Sequence, residues 1–252
     1  MTQTAAAPLA LAEVSALANQ MKQSIGSVIE GKPHQIHMAV LVLLAQGHLL
    51  LEDVPGVGKT VLAKALGRSI SGAVSRIQFT PDLLPSDVTG VSVFNQQTRE
   101  FEFKPGGIFA NIVLGDEINR ASPKTQSALL EAMAEGQVSA DGQTYQLKRP
   151  FMVVATQNPI EMEGTYPLPE AQRDRFMARI EMGYPSHQAE MAMLTAQAGG
   201  DKLATIRPVT DVVHVERAIA TMRGIYVAPV INDYIVRLVG STRTDPELRL
   251  GA

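Results

Sequence analysis

The sequence predicts an α/β protein, a mostly parallel sheet between two helical layers, followed by a small and purely helical region. Short apolar runs such as Leu49-Leu50-Leu51, Ile112-Val113-Leu114 and Phe151–Ala155 are uninterrupted, as strands buried on both faces should be. They alternate with segments spaced for helices, which argues for parallel pairing through helical crossovers. Beyond Gly183-Tyr184-Pro185 only helical patterns remain. At 252 residues the chain is long enough to bury a substantial core.

The elements follow in order. Leu9 to Ile29 reads as an amphipathic helix, with Leu11, Val14, Leu17 and Met21 three and four apart. Gly31-Lys32-Pro33 breaks it, and Pro33 to Gln46 forms a second, largely buried helix. After the strand at Leu49 comes a glycine-rich loop, a helix from Lys59 to about Gly67, and a strand from Ala73 to Phe79. Pro81 and Pro85 bracket an irregular stretch. Val91–Phe94 and Phe101–Lys104 pair as a hairpin around Asn95–Thr98. The strand at Ile112 precedes a helix from Pro123 to Ala134. Asp141-Gly142 between extended arms marks a second hairpin, Val138 to Leu147. After the Phe151 strand, Met177–Met182 alternates as a strand near the sheet edge should. Gly183-Tyr184-Pro185 is the expected boundary between a domain of residues 1–185, with a helical N-terminal segment over 9–46, and a helical region of 186–252. There the helices are Ser186–Gln197, Asp211–Arg223 and Val230–Thr242.

Composition narrows the function classes. A net charge of −3 and a pI near 6.0 give no basic footprint for duplex nucleic acid. With no cysteine, disulfides and thiolate metal sites are excluded. The N-terminus lacks the positive region of a signal peptide, and the longest apolar run, Met38 to Ala45, is too short to span a bilayer. The expectation is a soluble cytoplasmic protein without a membrane segment. His34 and His37 sit at i and i+3 on a helix with no third ligand near, which suits packing or surface rather than a metal. The eleven methionines read as core.

Four motifs carry chemistry. In Asp53-Val54-Pro55-Gly56-Val57-Gly58-Lys59-Thr60-Val61 a strand ends, two glycines turn, and Lys-Thr opens a helix. Such a loop turns its backbone N–H groups onto phosphate oxygens at a positive helix N-terminus. Lys59 is placed to reach the β/γ-phosphates and Thr60 to put its hydroxyl on Mg²⁺. Asp53 stands where the general pattern has its first glycine, and its carboxylate should point away from phosphate. Next, Ile112-Val-Leu-Gly-Asp-Glu117 delivers Asp116 to the C-terminal edge of the sheet, where ligands bind in open α/β folds. Asp116 suits Mg²⁺, directly or through water, and Glu117 the activation of an attacking water. Then Val153–Pro159 ends a strand in a polar triplet that offers Asn158 to the same water. Last, Pro169–Phe176 carries Arg173 and Arg175; Arg175 is the candidate cation for a neighbouring subunit's phosphoryl group, with Arg173 behind it. Each motif has a plain structural reading as a turn or a solvated face, and their combination and order weigh against it.

The chain resembles the AAA+ ATPases, and within them the MoxR family. The strings that carry the resemblance are Ile77–Gly90, Asp116–Ala121, Lys124–Met133, Ala155–Glu161 and Glu163–Gln172, and it covers about residue 20 to the end. It implies a three-layer parallel-sheet P-loop NTPase core with a small helical lid, ATP and Mg²⁺ as ligands, and ATP hydrolysis. It further implies Lys59 and Thr60 as Walker A, Asp116 and Glu117 as Walker B, Asn158 as sensor 1 and Arg175 as arginine finger. A ring of identical subunits, expected to be a hexamer, would act like a chaperone with a von Willebrand factor A domain partner and its client. The two hairpins resemble those that face the pore in related rings. The lid is expected to be incomplete, stopping before the sensor 2 arginine, with Arg243 ahead of the expected place and Leu238, Val239 and Leu248 left uncovered. Three other readings stand beside this one: a nucleotide-dependent binding module, a DNA-remodelling motor, which the acidic pI opposes, and a chelatase-type ATPase subunit.

Overall fold

The computed structural model describes residues 7–53, 57–158, 164–184, 187, 191, 202–248 and 251. Helix α1, Leu11–Gly26, buries Val14, Leu17 and Met21 of the stripe read from the sequence and Ile25 beyond it, whereas Leu11, at the first turn, is exposed. Helix α2, Pro33–Leu44, opens with proline at its first position, where the missing N–H costs nothing. Strand β1, Leu49–Glu52, runs into the phosphate-loop segment, and α3, Lys59–Ser69, returns to β2, Val74–Gln78.

A short helix α4, Pro85–Thr89, occupies the stretch that the prolines marked as irregular. The first hairpin is β3, Gly90–Asn95, with β4, Glu100–Pro105. Strand β5, Ile112–Asp116, is followed by a single 3-10 turn, Ile118–Arg120, and by α5, Pro123–Glu135. The second hairpin, β6 Gln137–Ala140 with β7 Gln143–Gln146, turns on Asp141 and Gly142, whose φ values are 50° and 75°. Two successive positive φ angles are what a type I′ turn requires, and Asp-Gly supplies them.

Strand β8 is Met152–Gln157, α6 Glu170–Arg173 and β9 Ala178–Ile180. The helices beyond are α7, Lys202–Thr205, α8, Val212–Arg223, and α9, Pro229–Thr244. The helix expected at Ser186–Gln197 lies largely outside the described residues. Helix α7 has no counterpart in the sequence reading, because four residues are too few to show a period.

The sheet has the order β2-β5-β8-β1-β9, every pair parallel. Alternation divides its side chains between two cores. Leu49, Leu51, Ile112, Leu114, Met152 and Val154 face a cluster with α1, α2, α3 and α8. Leu50, Val113, Val153 and Ala155 face the other, with Phe79 and the α5 residues Leu129, Leu130 and Met133. These are the three layers. Strands β1, β5 and β8 lie in the interior of the sheet, so their C-terminal ends share one edge.

His48 pins β1 to its neighbours. Its Nδ1 accepts the Val153 N–H at 3.0 Å, which places the ring proton on Nε2, 3.2 Å from the Met133 carbonyl. Burial lowers its pKa to about 4, against a weaker upward pull from that carbonyl. The ring is a neutral cross-brace between β1, β8 and α5. His34 and His37 are exposed, and among the described residues no group of three His, Cys, Asp or Glu could hold a metal. Nor is any described helix long and apolar enough to cross a membrane. Met21, Met133, Met152 and Met182 are core, whereas Met177 and Met191 are more than half exposed and correct the all-core reading.

Candidate functional site

The C-terminal edge of the sheet gathers Lys59, Asp116, Glu117, Thr156 and Asn158. Lys59 is the first residue of α3, and Gly58 before it has φ 95°, a conformation that only glycine adopts without strain. Among the described residues, a Cβ added to Gly58 would meet nothing within 4 Å. Lys59 is only 8% exposed, and its Nζ donates to the Asp53 carbonyl at 2.7 Å. Burial lowers its pKa, and the carboxylates of Asp116, Asp53 and Glu117 oppose that shift. Those carboxylates favour the charged form of the lysine, the form that can meet a phosphate.

Asp116 ends β5. Its Oδ1 accepts the Thr156 hydroxyl at 2.6 Å, and its Oδ2 accepts Arg76 Nη2 at 2.6 Å and Nε at 3.2 Å. Thr156 Oγ1 in turn accepts the Glu117 backbone N–H at 3.0 Å, so one hydroxyl sets both acids. Glu117 leaves the strand with φ 56° and ψ 50°, a left-handed conformation uncommon for a residue with a side chain. That turn keeps its carboxylate at the edge, where Oε2 accepts Arg120 Nη1 and Gln78 Nε2, both at 3.2 Å. Arg76 also donates to Gln78 Oε1 at 2.8 Å, so one polar chain runs from Asp116 to Glu117.

Asn158 follows β8 directly and is buried. Thr60 is half-buried at the N-terminus of α3, and Val57 and Val61 pack against the core below. Val54, Pro55 and Gly56 lie outside the described residues. Arg175 stands apart from this group. It is exposed in the turn between α6 and β9 and makes no ion pair with the described residues, whereas Arg173 pairs with Glu170 at 3.7 Å.

The donors fit the ligands that the sequence implies. Hydroxyl and carboxylate oxygens, from Thr60 and Asp116, are what Mg²⁺ selects. A positive-φ glycine at a helix N-terminus, uncrowded among the described residues, suits phosphate. Sequence reading assigned nothing to Arg76, Gln78, Arg120 or Thr156. Arg76 and Gln78 lie two apart on β2, on the same face, and strand alternation was the signal that could have found them.

Residues 48–178 match the family described as ATPase family associated with various cellular activities (AAA). The chain is 53% identical to Bacillus subtilis YeaC over 232 residues, 91% of this chain and 72% of that protein. It is 44% identical to chaperone MoxR1 of Mycobacterium tuberculosis over 222 residues, 88% of this chain and 58% of the relative. With MoxR of Methylorubrum extorquens the identity is 34%, over 67% of this chain and 50% of the relative. The chain thus spans between half and three quarters of the length of these relatives. Among solved structures, a candidate ATPase from Cytophaga hutchinsonii superposes with a TM-score of 0.83 at 38% identity, covering 92% of this chain and 71% of the other.

Proposed function

The chain belongs to the MoxR family of AAA+ ATPases, and from that premise we propose that it binds ATP with Mg²⁺ and hydrolyses it to ADP and phosphate. The observation that carries this reading is the acid pair Asp116–Glu117, set by Thr156 at the sheet edge beside the buried Lys59. A site that only held phosphate would need Lys59 and the loop; it would not need a second carboxylate aimed at the same edge.

In this reading Lys59 and the N–H groups at the start of α3 hold the phosphates, and Thr60 and Asp116 hold Mg²⁺. Bound Mg²⁺ supplies charge neutralisation at the phosphate oxygens. Glu117 takes the proton from the attacking water, and Asn158 orients that water with an amide that does not compete for the proton. Val57 and Val61 anchor the loop to the core, and Val54, Pro55 and Gly56 complete it. The exposed Arg175 acts on the site of a neighbouring copy, which makes the working form a closed ring, taken to be a hexamer. Arg173 is tied to Glu170 and is the weaker candidate. The chaperone name of the Mycobacterium tuberculosis relative supports a remodelling role, and the resemblance to the family extends it to a cytoplasmic ring that acts with a partner carrying a von Willebrand factor A domain and its client.

One observation favours a second reading, nucleotide binding with little turnover. Glu117 is engaged by Arg120 and Gln78, and a base held in an ion pair is not free to take a proton. The two readings separate in a mixing experiment on Mg²⁺-dependent ATP hydrolysis. Specific activity should rise with protein concentration and fall in Glu117→Gln and in Arg175→Ala. Mixing these two inactive variants should restore part of the activity, because each supplies what the other lacks. Tight nucleotide binding without turnover at any concentration would leave the binding module.

A further inference from the structure

The strap that follows β9, Glu181–Tyr184, is held to the core by three polar side chains from two separate elements. Asp53, the last described residue before the glycine-rich loop, accepts the Gly183 N–H on its carboxylate Oδ2. Lys32, at the start of α2, donates from Nζ to the Gly183 carbonyl at 2.9 Å and to the Tyr184 carbonyl at 2.8 Å. Gln35 donates to the Glu181 carbonyl at 2.9 Å. Gly183 therefore has both its N–H and its C=O engaged, and its φ of 64° is one that a side chain would strain.

Two features mark this as more than surface packing. Lys32 is only 8% exposed, and among the described residues it pairs with no carboxylate. Two successive carbonyls of the strap share this one ammonium, which fixes where the strap lies on α2. Asp53, for its part, is bound at both ends. Its carboxylate holds the strap, and its own carbonyl holds the Nζ of Lys59 at 2.7 Å. One residue thus links the lysine of the phosphate-binding loop to the segment from which the C-terminal helices depart.

We propose that Asp53 is a positioning residue, which ties the 181–184 strap through Gly183 to the end of β1 and to the Nζ of Lys59. This rests on the ATP reading and extends it. The residue that stands where the general loop pattern has glycine makes a tie that glycine cannot make. Replacing it by a smaller residue loosens the loop, and with it the geometry in which Lys59 meets an anion, while the strap loses its register with β1. Asparagine keeps an acceptor oxygen at the same distance from the backbone and should preserve the tie.

The test has two arms on the full chain. In the first, without nucleotide, amide hydrogen exchange is followed over 181–184. Exchange of the Gly183 amide should speed up at least tenfold in Asp53→Ala and stay within about threefold of wild type in Asp53→Asn. Lys32→Met, which releases the strap from the other side, should also speed it. Exchange unchanged in Asp53→Ala overturns the tie. In the second arm, KM for ATP should rise about tenfold in Asp53→Ala, with kcat changed less than threefold and Asp53→Asn close to wild type. An unchanged KM beside faster strap exchange overturns the positioning role. Wild type that fails to bind ATP contradicts the ATP reading instead, and the exchange arm still decides the tie.

Discussion

Strand β5 and helix α9 sit at opposite ends of one physical scale. All five residues of β5 are buried, and it carries the acid pair to a defined edge. Helix α9 has sixteen residues and none of them is buried. Val230, Tyr234, Val236 and Leu238 are each more than half exposed, and Ile231 and Ile235 are nearly so. Both segments are rich in apolar residues; what differs is whether other elements cover them. A site that sets one carboxylate and the backbone N–H of the next acid on a single hydroxyl is built on the region that packing determines most fully. Exposed apolar surface of the extent of α9 is what association surfaces carry.

Substitutions can break or sharpen that comparison. The largest stability effect is expected in the sheet: Ile112→Ala, in a fully buried residue, should cost about 3–4 kcal/mol in urea unfolding. A loss below about 1 kcal/mol would mean that the site edge is not set by packing.

The next effect comes from His48, whose folded pKa of about 4 lies below the ordinary 6.5. The fold favours the neutral ring, so its contribution is complete above about pH 6.5 and is lost as pH falls toward 4. By linkage, wild type should lose about 2 kcal/mol more than His48→Gln between pH 7 and pH 4.5. Equal losses would show that the ring is not the titrating brace.

The smallest effect belongs to α9. Leu238→Ser should change the stability of the isolated chain by less than about 0.5 kcal/mol, while weakening self-association in sedimentation. A destabilisation of more than about 1 kcal/mol would place α9 in the packed body.

Much of this was legible in the sequence, for reasons that particular elements make plain. Ile112-Val-Leu and Leu49-Leu-Leu are continuous apolar runs, and only a strand with both faces covered uses them that way. Asp141-Gly142 has few alternatives to a tight turn. Asp53's orientation followed from charge: a carboxylate among phosphates costs affinity, and in the fold it accepts the Gly183 N–H.

What was not legible depended on long-range pairing. Arg76 meets Asp116 across 40 positions of sequence, and Thr156 serves Asp116 and Glu117 from a strand that only parallel pairing brings alongside. Lys32 reads as an ordinary charge between two helices, yet it lies under carbonyls 151 and 152 residues away. The four-residue helix α7 gives no periodic signal at all. The exposed Arg175 makes no ion pair with the described residues, and the role proposed for it needs a second copy.

Glu117 stands at the centre of the proposed chemistry, as the base for ATP hydrolysis at an edge that, in the same reading, binds nucleotide without it. The most direct measurement is therefore ATP affinity and single-turnover hydrolysis of wild type and Glu117→Gln, side by side with Mg²⁺ present. Glu117→Gln should bind ATP within about threefold of wild type and hydrolyse it roughly 10²–10⁴-fold more slowly. Hydrolysis at the wild-type rate in Glu117→Gln would contradict that role.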